Sequence, residues 1–169
     1  MHVAKKIVTF IDSISNWTGK ILGWIIVPLV LLVVMEVVLR YFFDSPTIWS
    51  FEVSKQLYAV HFMILAAFGL MTKAHVSVDV VTLYLSNKTR AVIDIISYLI
   101  FFFPFCIITA WKGYVFAAKS WAVREVSWSV WQAPLYPIKT VVTITFILLF
   151  IQGVSEFIKR VMILKGVEI

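Results

Sequence analysis

The chain has 169 residues, of which 62% are hydrophobic and 14% charged, with a formal net charge of +6. A soluble domain of that length could not hide so much apolar surface, and a separate catalytic domain has no room. The basic residues are scattered singly between apolar runs instead of sharing one polar face, which excludes nucleic acid and points to anionic lipid headgroups.

Residues 1–19 read as a short amphipathic helix. Ile7, Phe10, Ile11, Ile14 and Trp17 recur at three- and four-residue steps, with Lys5, Lys6, Asp12, Ser13 and Asn16 as polar positions. Two readings stand side by side: a helix lying flat in the headgroup region, or an extension of the first span. Lys5 and Lys6 resemble the start of a signal peptide, but Asp12, Asn16 and Lys20 interrupt the apolar run that such a peptide needs, so the first span is expected to remain as an anchor.

Beyond residue 20 come four apolar stretches, each about the ~20 residues that carry a helix across ~30 Å of hydrocarbon. Span 1 is placed at about 21–42, with Pro28 inside it and Glu36 and Arg40 on one face of its far end. A turn at Asp44, Ser45 and Pro46 leads to span 2 at about 50–72, with Glu52 in its first turn and His61 near its middle. The second loop includes Lys73, His75, Asp79, Lys88 and Arg90 around an apolar segment, Val76 to Leu85, too short to span. Span 3 is placed at about 91–111 and contains Pro104. The third loop, Lys112 to Lys139, is read as the longest and is rich in aromatics. Span 4 is placed at about 137–157, and a tail carries Lys159, Arg160 and Lys165. The fold class expected for residues 1–169 is a single all-α integral membrane domain: four transmembrane helices plus a short N-terminal amphipathic interfacial helix.

Alternating compartments sort the cations. Lys5, Lys6, Lys20, Lys73, Lys88, Arg90, Lys159, Arg160 and Lys165 fall on one side. Arg40, Lys55, Lys112, Lys119, Arg124 and Lys139 fall on the other. The positive-inside rule then places both termini in the cytoplasm. Trp49, Trp111, Trp121, Trp128 and Trp131 all fall on the outer side, a broad surface suited to docking against protein.

Few residues invite chemistry. A charge at the bilayer centre costs about 2.5–3.5 kcal/mol on insertion scales, yet Glu36, Arg40, Glu52 and Lys55 lie near span ends, where the cost falls. They read as a polar cluster locking span 1 to span 2 or to a partner. A proton relay would need acidic groups at several depths. His61 reads as a neutral imidazole bonded to a neighbouring helix, with Tyr58 as a partner on its own helix. A haem-binding anchor of a respiratory enzyme is the reading from another class. For that, His75 at the end of the same helix and His2 at the terminus are poorly placed as a second ligand. Cys106 stands alone, so neither a disulfide nor a paired-thiol redox site is possible within the chain. No catalytic constellation, metal site or cofactor is expected.

The loops carry a pattern in order. Arg40-Tyr41, Pro46, Trp49 and Glu52 form one run. His75-Val76-Ser77-Val78-Asp79 form a second. Trp131-Gln132-Ala133-Pro134, with Pro137 opening span 4, form a third. Together they resemble the small membrane (DctQ-like, or Q) subunit of tripartite ATP-independent periplasmic (TRAP) transporters over nearly the whole chain. Ser129 to Pro134 is bulkier than the small-residue-Leu-x-x-Pro pattern common there.

The resemblance implies a multi-pass protein of the bacterial inner membrane that is not itself the translocation pathway. Its partners would be membrane lipids, a large permease subunit that binds substrate and sodium, and a periplasmic binding protein that delivers an organic acid. Arg40, Trp49, Glu52, His75, Asp79, Pro134 and Pro137 are the expected partner-interface or structural residues. Arg40 and Glu52 are expected to lie together or to bridge jointly to the large subunit. His75 and Asp79 would order the cytoplasmic turn. The small subunit of a tricarboxylate-type tripartite system is a neighbouring alternative.

Overall fold

The computed structural model describes residues 2–74 and 85–166. Its helices are α1 (His2–Gly23), α2 (Ile26–Phe42), α3 (Ser50–Met71), α4 (Asn87–Ser97), α5 (Phe103–Ala122) and α6 (Tyr136–Leu164). A π-helical turn, Tyr98–Phe102, joins α4 to α5. No strand occurs among the described residues; a single antiparallel bridge pairs Val126 with Pro134. Four stretches are long and apolar enough to cross a membrane: Val3–Phe42, Ser50–Met71, Lys88–Ala122 and Tyr136–Leu164.

Each interior proline sets the local geometry. Pro28 has no N–H to donate to the Trp24 carbonyl four residues earlier. That carbonyl accepts from Val27 N at 3.0 Å instead, and regular bonding resumes with Leu29 N on Ile25 O at 3.2 Å. The result is the break between α1 and α2. Pro104 likewise leaves Ile100 without its helical donor. There the chain widens into the π turn, with Phe103 N bonded five residues back to Tyr98 O. α3 and α5 stop alike, with Lys73 (φ 55°) and Arg124 (φ 45°) in the left-handed region. Ala74 N on Gly69 O (2.9 Å) and Glu125 N on Ser120 O (3.0 Å) close those two ends.

The 40 residues of Val3–Phe42 would reach about 60 Å, twice the hydrocarbon thickness. α1 packs on α3 and α6, whereas α2 packs on α3. The buried positions of α1 are Val8, Ile11, Ser15 and Gly19, one stripe at three- and four-residue spacing. Phe10 and Trp17, on the apolar face read from the sequence, lie outside that stripe and are exposed. α1 therefore turns a half-polar stripe to the bundle and its aromatic residues outward.

α5 and α6 form the most extensive interface. An aromatic seam runs along it: Phe103 meets Phe150 at 5.2 Å and Phe157 at 5.8 Å, and Phe105 meets Phe146 at 5.6 Å. Cys106 is fully buried beside it, and Gly113 lets α5 close onto Thr143. Residues 112–122, read as the start of the third loop, continue α5 as helix. Lys112 and Lys119 are charged but nothing there breaks a helix.

Candidate partner interface

The alternation of the helices creates two ends. One, the loop end, carries the α2–α3 and α5–α6 connections. The other, the terminal end, carries α1 and the end of α6.

At the loop end the key acid is Glu36. Its Oε1 accepts from Arg40 Nη2 at 2.9 Å, and its Oε2 accepts from Thr47 Oγ1 at 2.7 Å and Thr47 N at 3.2 Å. Thr47 Oγ1 in turn accepts from Ser50 N at 3.3 Å, in the first turn of α3. One carboxylate thus ties the end of α2 to the connection and to the start of α3. The expected closeness of Arg40 and Glu52 is not what forms. Arg40 pairs with Glu36, one turn back on its own helix, and Glu52 makes no ion pair among the described residues. Trp49 precedes α3, its carbonyl accepting from Val53 N at 3.1 Å, and is 36% exposed. Lys55 lies over the Phe51 ring, 5.1 Å from its centroid.

The α5–α6 connection is a small closed hairpin. Ser127 N bonds Ala133 O at 2.8 Å, Leu135 N bonds Glu125 O at 2.9 Å, and Ser127 Oγ accepts from Ala133 N at 3.1 Å. Pro134 offers its carbonyl to Gln56 Nε2 at 3.0 Å, which braces the hairpin on α3. Pro137 sits in the first turn of α6, where a missing N–H costs no helical bond. Trp121 Nε1 donates to Thr140 Oγ1 at 2.8 Å, joining α5 to α6. Glu125 pairs with Lys139, whose ammonium also lies 3.9 Å from the Phe116 ring centroid. That ammonium holds the Glu125 carboxyl below the usual carboxylate range. The hairpin's tip presents Trp128 and Val130 fully exposed.

At the terminal end lies a network that the sequence reading missed. Asp12 Oδ1 accepts from Gln152 Nε2 at 3.0 Å and Ser155 Oγ at 2.7 Å, while Ser15 Oγ donates to Gln152 Oε1 at 2.7 Å. Lys159 bridges Asp12 at 2.8 Å and the buried Glu156 at 2.5 Å. Arg160 pairs with Asp94 of α4 at 3.1 Å. The only signal in the sequence is spacing: Gln152, Ser155, Glu156 and Lys159 fall on one face of α6, and Asp12 and Ser15 on one face of α1.

His61 Nδ1 is buried without a hydrogen-bond partner among the described residues, so the expected bond to a neighbouring helix is not made through that nitrogen. Its ring meets Phe62 edge-on at 5.7 Å, and Tyr58 packs on Phe62 at 4.5 Å. His75 and Asp79 lie outside the described residues. Among the described residues no group of three or more His, Cys, Asp and Glu side chains could hold a metal ion.

What remains is a helical scaffold whose polar groups are mostly spent on itself and whose apolar flanks are bare. Val30, Leu31 and Val34 of α2, Phe101 of the π turn, and Phe105 and Ile108 of α5 all face outward. The family model for the DctQ component of tripartite ATP-independent periplasmic transporters matches residues 29–162, more than half of the chain. The chain belongs to the DctQ family. It is thus a small, multi-pass inner-membrane component of a TRAP transporter, a transporter part and not a member of an enzyme family. The match starts inside α2 and ends inside α6, so α1 lies outside it. No curated protein matches the chain.

Proposed function

We propose that this DctQ subunit scaffolds the large permease subunit of a TRAP transporter. That permease takes up an organic acid, delivered by a periplasmic binding protein, in symport with sodium. The observation that carries the reading is the family match, over a bundle whose bare aliphatic and aromatic flanks need covering by lipid or protein. Substrate class and ion coupling rest on the resemblance of the loop motifs.

Both termini face the cytoplasm in this reading, on the charge bias of the loops. The loop end then faces the periplasm. Glu52 and Trp49 meet the large subunit there, beside Arg40, which spends Nη2 on Glu36 and keeps the rest of its guanidinium exposed. The Pro134–Pro137 corner fixes the hairpin that faces the binding protein. His75 and Asp79 order the cytoplasmic connection between α3 and α4.

Mild-detergent purification of the tagged chain from its native membrane, with mass spectrometry of the proteins that accompany it, tests the proposal. A stoichiometric, much larger multi-span permease is expected. Uptake by that pair with its binding protein should disappear when this chain is left out. A chain that emerges alone, or with respiratory subunits, overturns the reading.

A further inference from the structure

A cavity of about 270 Å³ opens between α2 and α3 at the loop end. Its walls are of two kinds. Val33 and Val37 of α2 form an aliphatic side, each nearly half exposed and continuous along the helix with Val30. Glu36, Arg40, Tyr41, Ser50 and Ser54 form a polar end. Ser50 is 1% exposed, and its Oγ has no hydrogen-bond partner among the described residues. Arg40 spends Nη2 on Glu36, yet its side chain is 56% exposed and the rest of the guanidinium fork is free to donate.

A buried hydroxyl left unpaired is costly, more so beside hydrocarbon than beside water. Here it lines a cavity in which one cation and one anion stand side by side above an aliphatic wall. The complement of that surface is an amphiphile with one negative group, one positive group and an apolar tail. We propose that the cavity seats a phospholipid with a zwitterionic, ammonium-bearing headgroup. Its phosphate takes donors from Arg40, Ser50 and Ser54. Its ammonium faces the edge of Glu36. An acyl chain runs along Val37, Val33 and Val30 into the hydrocarbon. Because Glu36 offsets Arg40, a headgroup with net negative charge fits less well than one carrying both signs.

The test places a photo-crosslinker in the native membrane with the whole transporter present. Val37→benzoylphenylalanine reports on the cavity, and Leu31→benzoylphenylalanine, on exposed α2 surface outside it, reports on bulk lipid. Intact-mass measurement is expected to find phosphatidylethanolamine adducts enriched at position 37 over position 31. Ser50→Ala, which leaves the Glu36–Arg40 pair intact, should lower that enrichment several-fold, and Arg40→Gln should reduce it by about tenfold, the scale of one charge-assisted hydrogen bond. Identical lipid distributions at the two positions overturn the assignment. So does an adduct to a polypeptide at position 37, which would make the cavity a protein contact. Enrichment that neither Ser50→Ala nor Arg40→Gln lowers in a folded chain also overturns it.

Discussion

The two ends of the bundle are built from the same kinds of side chain but wired differently. At the loop end the bonds, apart from the Gln56–Pro134 brace, are local: Glu36 reaches Arg40 and Thr47, and Glu125 reaches Lys139, all between neighbours joined by one connection. At the terminal end they are remote. Asp12 of α1 bonds Gln152, Ser155 and Lys159 of α6, up to 143 positions away by its hydrogen bonds. Local bonds shape turns, whereas remote ones decide which helices touch. The loop end is therefore a set of locally folded corners joined by one brace, and the terminal end is one lock that holds α1 to the rest.

That contrast can be broken most forcefully at Asp12. Its replacement by Ala strands Gln152 Nε2 and Ser155 Oγ, leaves Gln152 bonded only to Ser15, and leaves Lys159 with Glu156 alone. Single hydrogen bonds in membranes average only about 0.6 kcal/mol. Here two bonds and an ion pair go together, so the loss should approach about 3 kcal/mol, the lower end for opening a buried pair. Thermal unfolding in detergent, with limited proteolysis of α1, measures it. An unchanged midpoint and a protected α1 would mean that apolar packing alone holds the helix.

The next effect is steric and at the same end. A Cβ on Gly19 would stand 2.7 Å from Phe68 Cβ and 2.4 Å from Phe68 Cγ. Those atoms are near the α3 backbone and cannot swing away. Gly19→Ala should cost about 1–3 kcal/mol through overpacking. Phe68→Ala on that background should recover part of the loss. Additive damage in the double variant would place α1 elsewhere. At the loop end, Glu36→Gln keeps the shape but loses the charge, and its effect should be smaller than either. It should also loosen the Thr47 turn, seen as faster amide exchange there, while α1 stays as protected as before.

The same division separates the parts that are legible in the sequence from those that are not. Pro28 and Pro104 mark the sites of the α1–α2 break and the π turn, because a missing N–H acts within one helical turn. Asp44, Ser45 and Pro46 mark a connection for the same local reason. The fourfold apolar pattern corresponds to four membrane-length helices, and the loop motifs point to the family. The terminal lock is not legible. Periodicity reveals a polar stripe on a helix but not the surface opposite, so Asp12 reads as a solvated position and Lys159 as tail. The third connection reads too long because the charge at Lys112 mimics a helix end, whereas α5 stops where Arg124 turns left-handed. Arg40 and Glu52 form no direct ion pair because Glu36, four residues from Arg40 on the same helix face, takes the guanidinium.

The finest test of the contrast is pH at the hairpin. Lys139 holds the folded Glu125 carboxyl below its ordinary value of 4.5. Between the folded and ordinary values the unfolded chain binds more protons at this position than the folded one, so stability rises with pH there. The contribution is present in full above about 4.5 and is lost as pH falls through the folded value. Glu125 is partly exposed, 36% at its side chain, so the gain is screened and small. Wild type should therefore melt slightly above Glu125→Gln at neutral pH, and the two curves should converge under acid. Convergence should leave α1 protection untouched, since Glu125 lies at the end opposite the lock. A difference that persists unchanged into acid would show that the Glu125–Lys139 pair contributes through shape alone. A loss of α1 protection in step with it would show that the two ends are coupled after all.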